Sequence, residues 1–295
     1  MPWFSYHSGH SGEFCRHAKG ELSAVVEAAI ARGFTHYGLS EHCPRDRVQD
    51  LYPEEHALGP DGLADAFSAY VSRALLLRER FADRIELLVG FETERLPPGS
   101  WAERMTALRR SAPFDYVVGS VHVVDGIWVD YKPEITAELA ERLGGREALH
   151  ARYFDALIEL VQTLRPEIVG HLDLVRKFDG PQASFSAAAM RHVEHALEAV
   201  RESGAMLDVN CGAARRGYSP VYPLPEILAR ACRMGIAVTL GDDSHGAHDV
   251  GVGLDGCMAA IAAAGYREVS YLARCDGVVT RCTAALDAVR PALPG

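Results

Sequence analysis

Short apolar runs recur along the chain, and each stops abruptly at polar, chemically active residues. Trp3 to Tyr6 reads as a first strand, and Tyr37 to Pro44 as a second that carries Glu41-His42 near its end. Ile85 to Val89 runs straight into Gly90-Phe91-Glu92-Thr93-Glu94. Tyr116 to Val121 has His122 at its tip, and Ile168 to Gly170 leads into His171 and Asp173. Ala205 to Asn210 is a sixth strand. Ala237 to Leu240 is a seventh, which breaks at Gly241 into Asp242-Asp243-Ser244-His245. Helical patterns alternate with these runs: Leu22 to Ala31, Leu63 to Phe81, Trp101 to Arg110, Glu134 to Leu164 with a break near Gly144-Gly145, Ser186 to Ser203, Pro223 to Met234 and Cys257 to Ala264. Glu268 to Leu272 reads as a last short strand, Val278 to Arg290 as a helical tail, and Trp128 to Lys132 as loop.

Strict strand–helix alternation predicts an α/β fold with parallel strands inside and helices outside. If the sheet closes into a barrel, its strand C-termini converge on one face. No repeat and no long flexible linker interrupts the pattern, so residues 1–295 are expected to form one domain.

Composition narrows the function. Apolar residues make up 48% of the chain, enough for a large core and against disorder. The formal charge of −10 argues against a general nucleic-acid binder, which needs a basic surface. Seven cysteines without a CxxC pair suggest free thiols in a reducing cytoplasm. The first residues lack the basic and apolar regions of a signal peptide, and no apolar run approaches membrane-spanning length.

Thirteen histidines are the outlier, and their positions are informative. His7, His10 and His17 lie in the loop after the first strand, and His42, His122, His171 and His245 at later strand ends, together with Glu92 and Asp243. Imidazoles with a few carboxylates suit zinc, iron or manganese. Nine such groups exceed the positions of one ion, so two or three divalent metals with a bridging carboxylate are expected. Alone, His122 or His171 would suit a hydrogen-bonded core histidine, and Glu92 a buried pair with Arg95. Asp242 is expected to support Asp243; Glu41 and Glu94 are expected to be structural or substrate-facing. His192 and His195 read as an exposed helix face; His36, His56, His150 and His248 read as surface. Cys15, Cys43 and Cys211 read as small apolar fillers near the strand ends.

The segments HSGHSGEFCRHA, SEH, GFETE, GSVH, GHLD and GDDSH resemble the polymerase-and-histidinol-phosphatase (PHP) superfamily. CRHA, PFDYVVGSVH, GHLDLVRKF, LDVN and VYP resemble its histidinol-phosphate phosphatase branch, in order and over nearly the whole chain. The resemblance implies a distorted (β/α)7 barrel with a trinuclear metal site. It implies one ion on His7, His10, Glu92 and Asp243, a second on Glu92, His122 and His171, and a third on His17, His42 and His245. One departure stands out. The family's first motif is HxH, whereas this chain has His7-Ser8-Gly9-His10. Two residues between the histidines turn them apart on a strand, so both can ligate only if the backbone bends at Gly9.

The implied reaction is hydrolysis of a phosphate monoester by a metal-bridging hydroxide, with Glu92, Asp243 and His245 at its centre. L-histidinol phosphate is the expected substrate, in histidine biosynthesis. Arg176-Lys177 and Arg215-Arg216 are the expected phosphate grips, with Arg16 a further candidate. A cationic amino-alcohol group would need a carboxylate and an aromatic wall, for which Glu94, Tyr131 and Tyr218 are candidates. Two alternatives stand beside this: a PHP-type phosphoesterase for another small phosphorylated metabolite or nucleotide, and an inactive barrel serving as a binding module.

Overall fold

The structure is a computed structural model that describes residues 1–180, 184–215, 217 and 221–291. The strands β1 (Phe4–Ser5), β2 (His36–Leu39), β3 (Glu86–Glu92), β4 (Tyr116–Gly119), β7 (Ile168–Val169), β8 (Met206–Asn210) and β9 (Val238–Gly241) form one parallel sheet in that order. They are apolar on both faces because helices cover the outside and side chains fill the inside. Leu87, Leu88, Val89 and Phe91 of β3 are all buried. The sheet's two edges meet: Tyr6 N–H donates to Leu240 O at 3.0 Å and Asp243 N–H to His7 O at 2.7 Å. The result is the distorted seven-stranded barrel that the resemblance implies, with the parallel strands and outer helices expected from the alternation.

The outer helices are α1 (Leu22–Ala31), α2 (Gly59–Arg80), α3 (Trp101–Ser111), α4 (Pro133–Leu143), α5 (Arg146–Leu164), α6 (Ala187–Ser203), α7 (Gly212–Arg215), α8 (Pro225–Arg233) and α9 (Leu254–Ala263). Their ends follow local chemistry. Gly144 closes α4 at φ +98°, and the Ser186 side chain caps α6 by accepting from Ala189 N–H at 3.2 Å.

Two readings need correction. Val278 to Arg290 is not a helix: β10 (Glu268–Cys275) and β11 (Val278–Ala285) form an antiparallel hairpin. Its turn is Asp276-Gly277, both with positive φ (51° and 83°), which is the Asp-Gly geometry that joins twisted strands. Residues 128–132 are also not all loop, since β5 (Val123–Val124) and β6 (Ile127–Trp128) pair. The hairpin β10–β11 docks under the barrel, where Leu272 N–H donates to the Tyr6 hydroxyl at 2.9 Å. All seven cysteines are unpaired. Among the described residues no helix is long and apolar enough to cross a membrane.

Candidate metal centre

Every strand C-terminus opens on one face, and backbone pairing sets the ligands in place. Cys43 N–H donates to Glu92 O and Glu92 N–H to Glu41 O, both at 2.9 Å, which fixes His42 beside Glu92. His10 N–H donates to Ser244 O (3.1 Å) and Lys19 N–H to His245 O (3.0 Å), so the loop after β1 is zipped onto the segment after β9. Gly9 supplies the bend that the HxxH spacing requires, at φ +82°. A side chain there would meet Leu39 Cδ2 at 2.8 Å.

The histidines converge on Glu92. Its Oε1 lies 3.0 Å from His7 Nε2, 3.3 Å from His122 Nε2 and 3.2 Å from His171 Nε2, while its Oε2 lies 2.8 Å from His42 Nδ1. Asp243 Oδ1 lies 4.0 Å from His7 Nε2 and 3.8 Å from His10 Nε2. His10 stacks between His42 and His245, with ring centroids 4.3 and 4.5 Å away. His17 completes this side, its Nε2 3.3 Å from His42 Nε2. Asp243 and His171 adopt left-handed backbone (φ +49° and +22°), a strained conformation for non-glycine residues that clusters at functional sites.

A second layer orients the rings. His7 Nδ1 faces Asp208 Oδ2 (2.7 Å), His10 Nδ1 faces Glu41 Oε1 (3.1 Å), His122 Nδ1 faces Glu94 Oε2 (3.2 Å), and His245 Nδ1 faces Asp243 O (2.9 Å). Anchoring Nδ1 leaves Nε2 as the inward donor in His7, His10 and His245, while His122 Nδ1 meets Glu94 as a charged contact without hydrogen-bond geometry. Asp242 stands behind Asp243 without touching an imidazole in this set: it accepts from Gly251 N–H (2.7 Å) and the Tyr37 hydroxyl (3.1 Å). Burial pushes its carboxyl up to about 6.

These residues fit divalent metal ions. His7 Nε2, His10 Nε2 and Glu92 Oε1 are buried, and none has a hydrogen-bond partner among the described residues. Imidazole nitrogens and a carboxylate oxygen that face one another without sharing a proton leave a place for a cation. Ligand atoms lie within 4.8 Å of one another in the groups His7–His10–Asp243, His7–Glu92–His171 and His10–His42–His245. Electrostatics agree. Burial would raise the Glu92 carboxyl, but His7, His122 and His42 bring it well below the usual range. Burial would likewise raise Asp243, which His7, His245 and His10 instead lower.

The grouping differs in detail from the one the resemblance implies. Glu92 reaches His42 as well as His7, His122 and His171, and His10 sits against the His42–His245 side as well as near Asp243. Cys15 is more than a filler by position: its Sγ lies 3.3 Å from His17 Nδ1, although burial raises its thiol pKa. His150 is not a surface residue; it is buried, with Nε2 3.2 Å from Asp179 Oδ2.

The cavity over the ligands is walled by Tyr52, Glu94, Asp130, Leu174, Lys177, Gly212 and Tyr222. Of the expected phosphate grips, Lys177 lies in this wall. Arg176 is buried, with Nε donating to Asp173 (2.6 Å) and Nη2 to Val221 O (2.8 Å). Arg215 wraps the backbone instead: it donates to the carbonyls of Asp242 and Asp243, the latter at 2.7 Å, and lies 3.4 Å from Asp249 Oδ1. Arg216 and Tyr218 lie outside the described residues. Arg16 is exposed. Glu94 is held by Arg45 (3.0 Å) as well as His122, and Arg45 packs over the Tyr52 and Trp128 rings. Tyr131 packs behind Tyr52, with centroids 5.3 Å apart.

A barrel with this ring of strand-end imidazoles and carboxylates defines a metal-dependent hydrolase of the PHP kind. The PHP domain model matches residues 5–212, and the chain belongs to that family. A Schizosaccharomyces pombe protein named "Probable histidinol-phosphatase" is 36% identical over 96% of this chain and 89% of its own length. The Saccharomyces cerevisiae protein named "Histidinol-phosphatase" is 26% identical over 84% of this chain and 85% of its own. Among solved structures, the histidinol phosphate phosphatase of Lactococcus lactis, complexed with zinc, L-histidinol and phosphate, shares the fold. Its TM-score is 0.68 at 23% identity, covering 91% of this chain and 95% of that one. A Listeria monocytogenes structure superposes with a TM-score of 0.73 at 22% identity, over 86% of this chain and 98% of that one.

Proposed function

We propose that this protein is a metal-dependent phosphatase that hydrolyses L-histidinol phosphate to L-histidinol and phosphate, the last group released by attack of water on phosphorus. The observation that carries this is the single oxygen, Glu92 Oε1, which three imidazole nitrogens approach to between 3.0 and 3.3 Å without hydrogen-bond geometry. His7, His10, His17, His42, Glu92, His122, His171, Asp243 and His245 are the residues we assign to two or three divalent ions, zinc in the first place. Bound there, the ions supply an acidified water and positive charge against the phosphoryl oxygens. The protein's own contribution is orientation. Asp208 and Glu41 hold two rings by Nδ1, Glu94 lies beside a third, and Arg215 pins the carbonyls beside Asp243. Lys177 offers a cation for the phosphate, and Tyr52 and Tyr222 wall the cavity.

We take residues 1–295 as one domain, since the core cluster runs from Trp3 to Val289. The unpaired cysteines and the role in histidine biosynthesis suit the cytoplasm. A charge of −10 weighs against a nucleic-acid substrate. The test is phosphate release from a panel of histidinol phosphate, sugar phosphates and nucleotides, with the enzyme stripped by chelator and reloaded with zinc, iron or manganese. Histidinol phosphate is expected to lead, with activity lost on stripping and regained on reloading. A sugar phosphate or nucleotide in the lead overturns the substrate, and full activity without metal overturns the mechanism.

A further inference from the structure

Four carboxylates line the cavity, and three of them are committed. Glu92 and Asp243 face imidazoles, and Glu94 is shared by Arg45 and His122. The fourth, Asp130, pairs with Lys177 rather than with an imidazole of the centre. It follows β6 in a segment pinned to the ligand ring, because Val129 N–H donates to His122 O at 2.9 Å. Its Oδ1, like Glu92 Oε1 and Glu94 Oε2, is buried without a hydrogen-bond partner among the described residues. Its Oδ2 lies 3.5 Å from Lys177 Nζ, which also donates to Asp130 O at 2.5 Å. Lys177 in turn ends the turn that starts at His171, where Leu174 N–H donates to His171 O at 2.9 Å. A cation and an anion thus stand side by side in the wall, each tied through the backbone to a different histidine of the centre.

A buried carboxylate oxygen without a partner costs free energy unless something arrives to satisfy it. We propose that Asp130 is the specificity-determining carboxylate that receives a substrate ammonium while Lys177 takes a phosphate oxygen. The cavity would then select phosphate monoesters of 2-amino alcohols. The inference rests on the site being a phosphatase centre and deepens the substrate assignment. A molecule carrying ammonium and phosphate on neighbouring carbons replaces the resting pair charge for charge, so neither protein charge is left buried and alone. The Tyr52 and Tyr222 rings in the same wall favour a cation there. A neutral alcohol phosphate draws Lys177 from Asp130 and leaves that carboxylate without a countercharge.

The experiment compares kcat/KM for O-phosphoethanolamine and for ethyl phosphate, using zinc-loaded wild type, Asp130→Asn and Asp130→Glu, with zinc content measured for each. Wild type is expected to favour the aminated ester by about 10- to 100-fold, the range for a hydrogen bond to a charged group. Asp130→Asn is expected to bring the ratio to within about twofold of unity at equal zinc content, and Asp130→Glu to restore part of it. Should Asp130→Asn lose zinc, Asp130→Ser is the neutral replacement on which the ratio is read. A wild-type ratio near unity overturns the proposal, as does a neutral variant that keeps the wild-type ratio. Failure of the histidinol assignment shows differently: wild type would then handle histidinol phosphate no better than O-phosphoethanolamine, with the ammonium ratio intact.

Discussion

His7 Nδ1 lies 2.7 Å from Asp208 Oδ2, and both side chains are buried. The pair joins the end of β1 to the middle of β8, and Asn210 Nδ2 donates to the same carboxylate oxygen at 2.9 Å. Burial would lower the imidazole pKa, yet Glu92 and Asp208 together raise it well above its ordinary value. Asp208 therefore fixes which nitrogen of His7 is turned to the centre.

Replacing Asp208 by Ala leaves buried His7 Nδ1 with only the Asn210 side-chain amide, at 3.4 Å. Zinc affinity is expected to fall about 10- to 100-fold, with activity falling alongside. Competition with a chromogenic chelator measures it; unchanged affinity would show that His7 is not a ligand.

Gly9→Ala tests the bend. A Cβ at φ +82° adds backbone strain and meets Leu39 Cδ2 at 2.8 Å. The expected loss of stability is about 1–3 kcal/mol in urea unfolding, with His7 and His10 no longer able to serve one ion. A variant as stable as wild type that keeps its full metal content would remove Gly9 from the argument.

Arg215→Lys separates two roles. A guanidinium that holds carbonyls beside Asp243 cannot be replaced by one ammonium. We expect faster zinc loss with inhibition by inorganic phosphate unchanged. Weaker phosphate inhibition at full zinc content would return Arg215 to the phosphate grip.

His150 makes stability depend on pH outside the centre. Burial and then Arg146 lower its pKa to about 4. The unfolded chain binds the proton more readily, so stability is fully present above the unfolded value near 6.5 and is lost as pH falls toward 4. The loss is at most on the order of 3 kcal/mol at the acid end. His150→Gln is expected to flatten this part of the profile in urea unfolding between pH 7 and pH 5. Protonation at the metal centre is common to both proteins and cancels in the difference; parallel profiles would remove His150 as the source.

The strand ends were legible because burial on both faces makes parallel strands apolar, so a histidine or carboxylate after each run stands out. Gly144-Gly145 marked the break between α4 and α5 for an equally local reason, the φ +98° that Gly144 adopts. Asp276-Gly277 carried a local signal too. The helical reading of 278–290 failed because a turn that demands two positive φ angles outweighs a weak apolar period. Arg176 and Arg215 show the opposite limit. Nothing in a basic pair reveals whether its guanidinium faces a cavity or, as here, Asp173 and the carbonyls of residues 242 and 243.

By itself the sequence determined the alternation of elements, the ring of ligand types and the need for a bend at Gly9, since each depends on residues near one another in the chain. Tertiary structure decided which nitrogen of each histidine faces inward, which carboxylate gathers four imidazoles, and that Asp130 stands beside Lys177. Those are distances between atoms on different strands, with His7 and Asp208 separated by 201 positions. Closure of the barrel brings them together, and no local pattern encodes it.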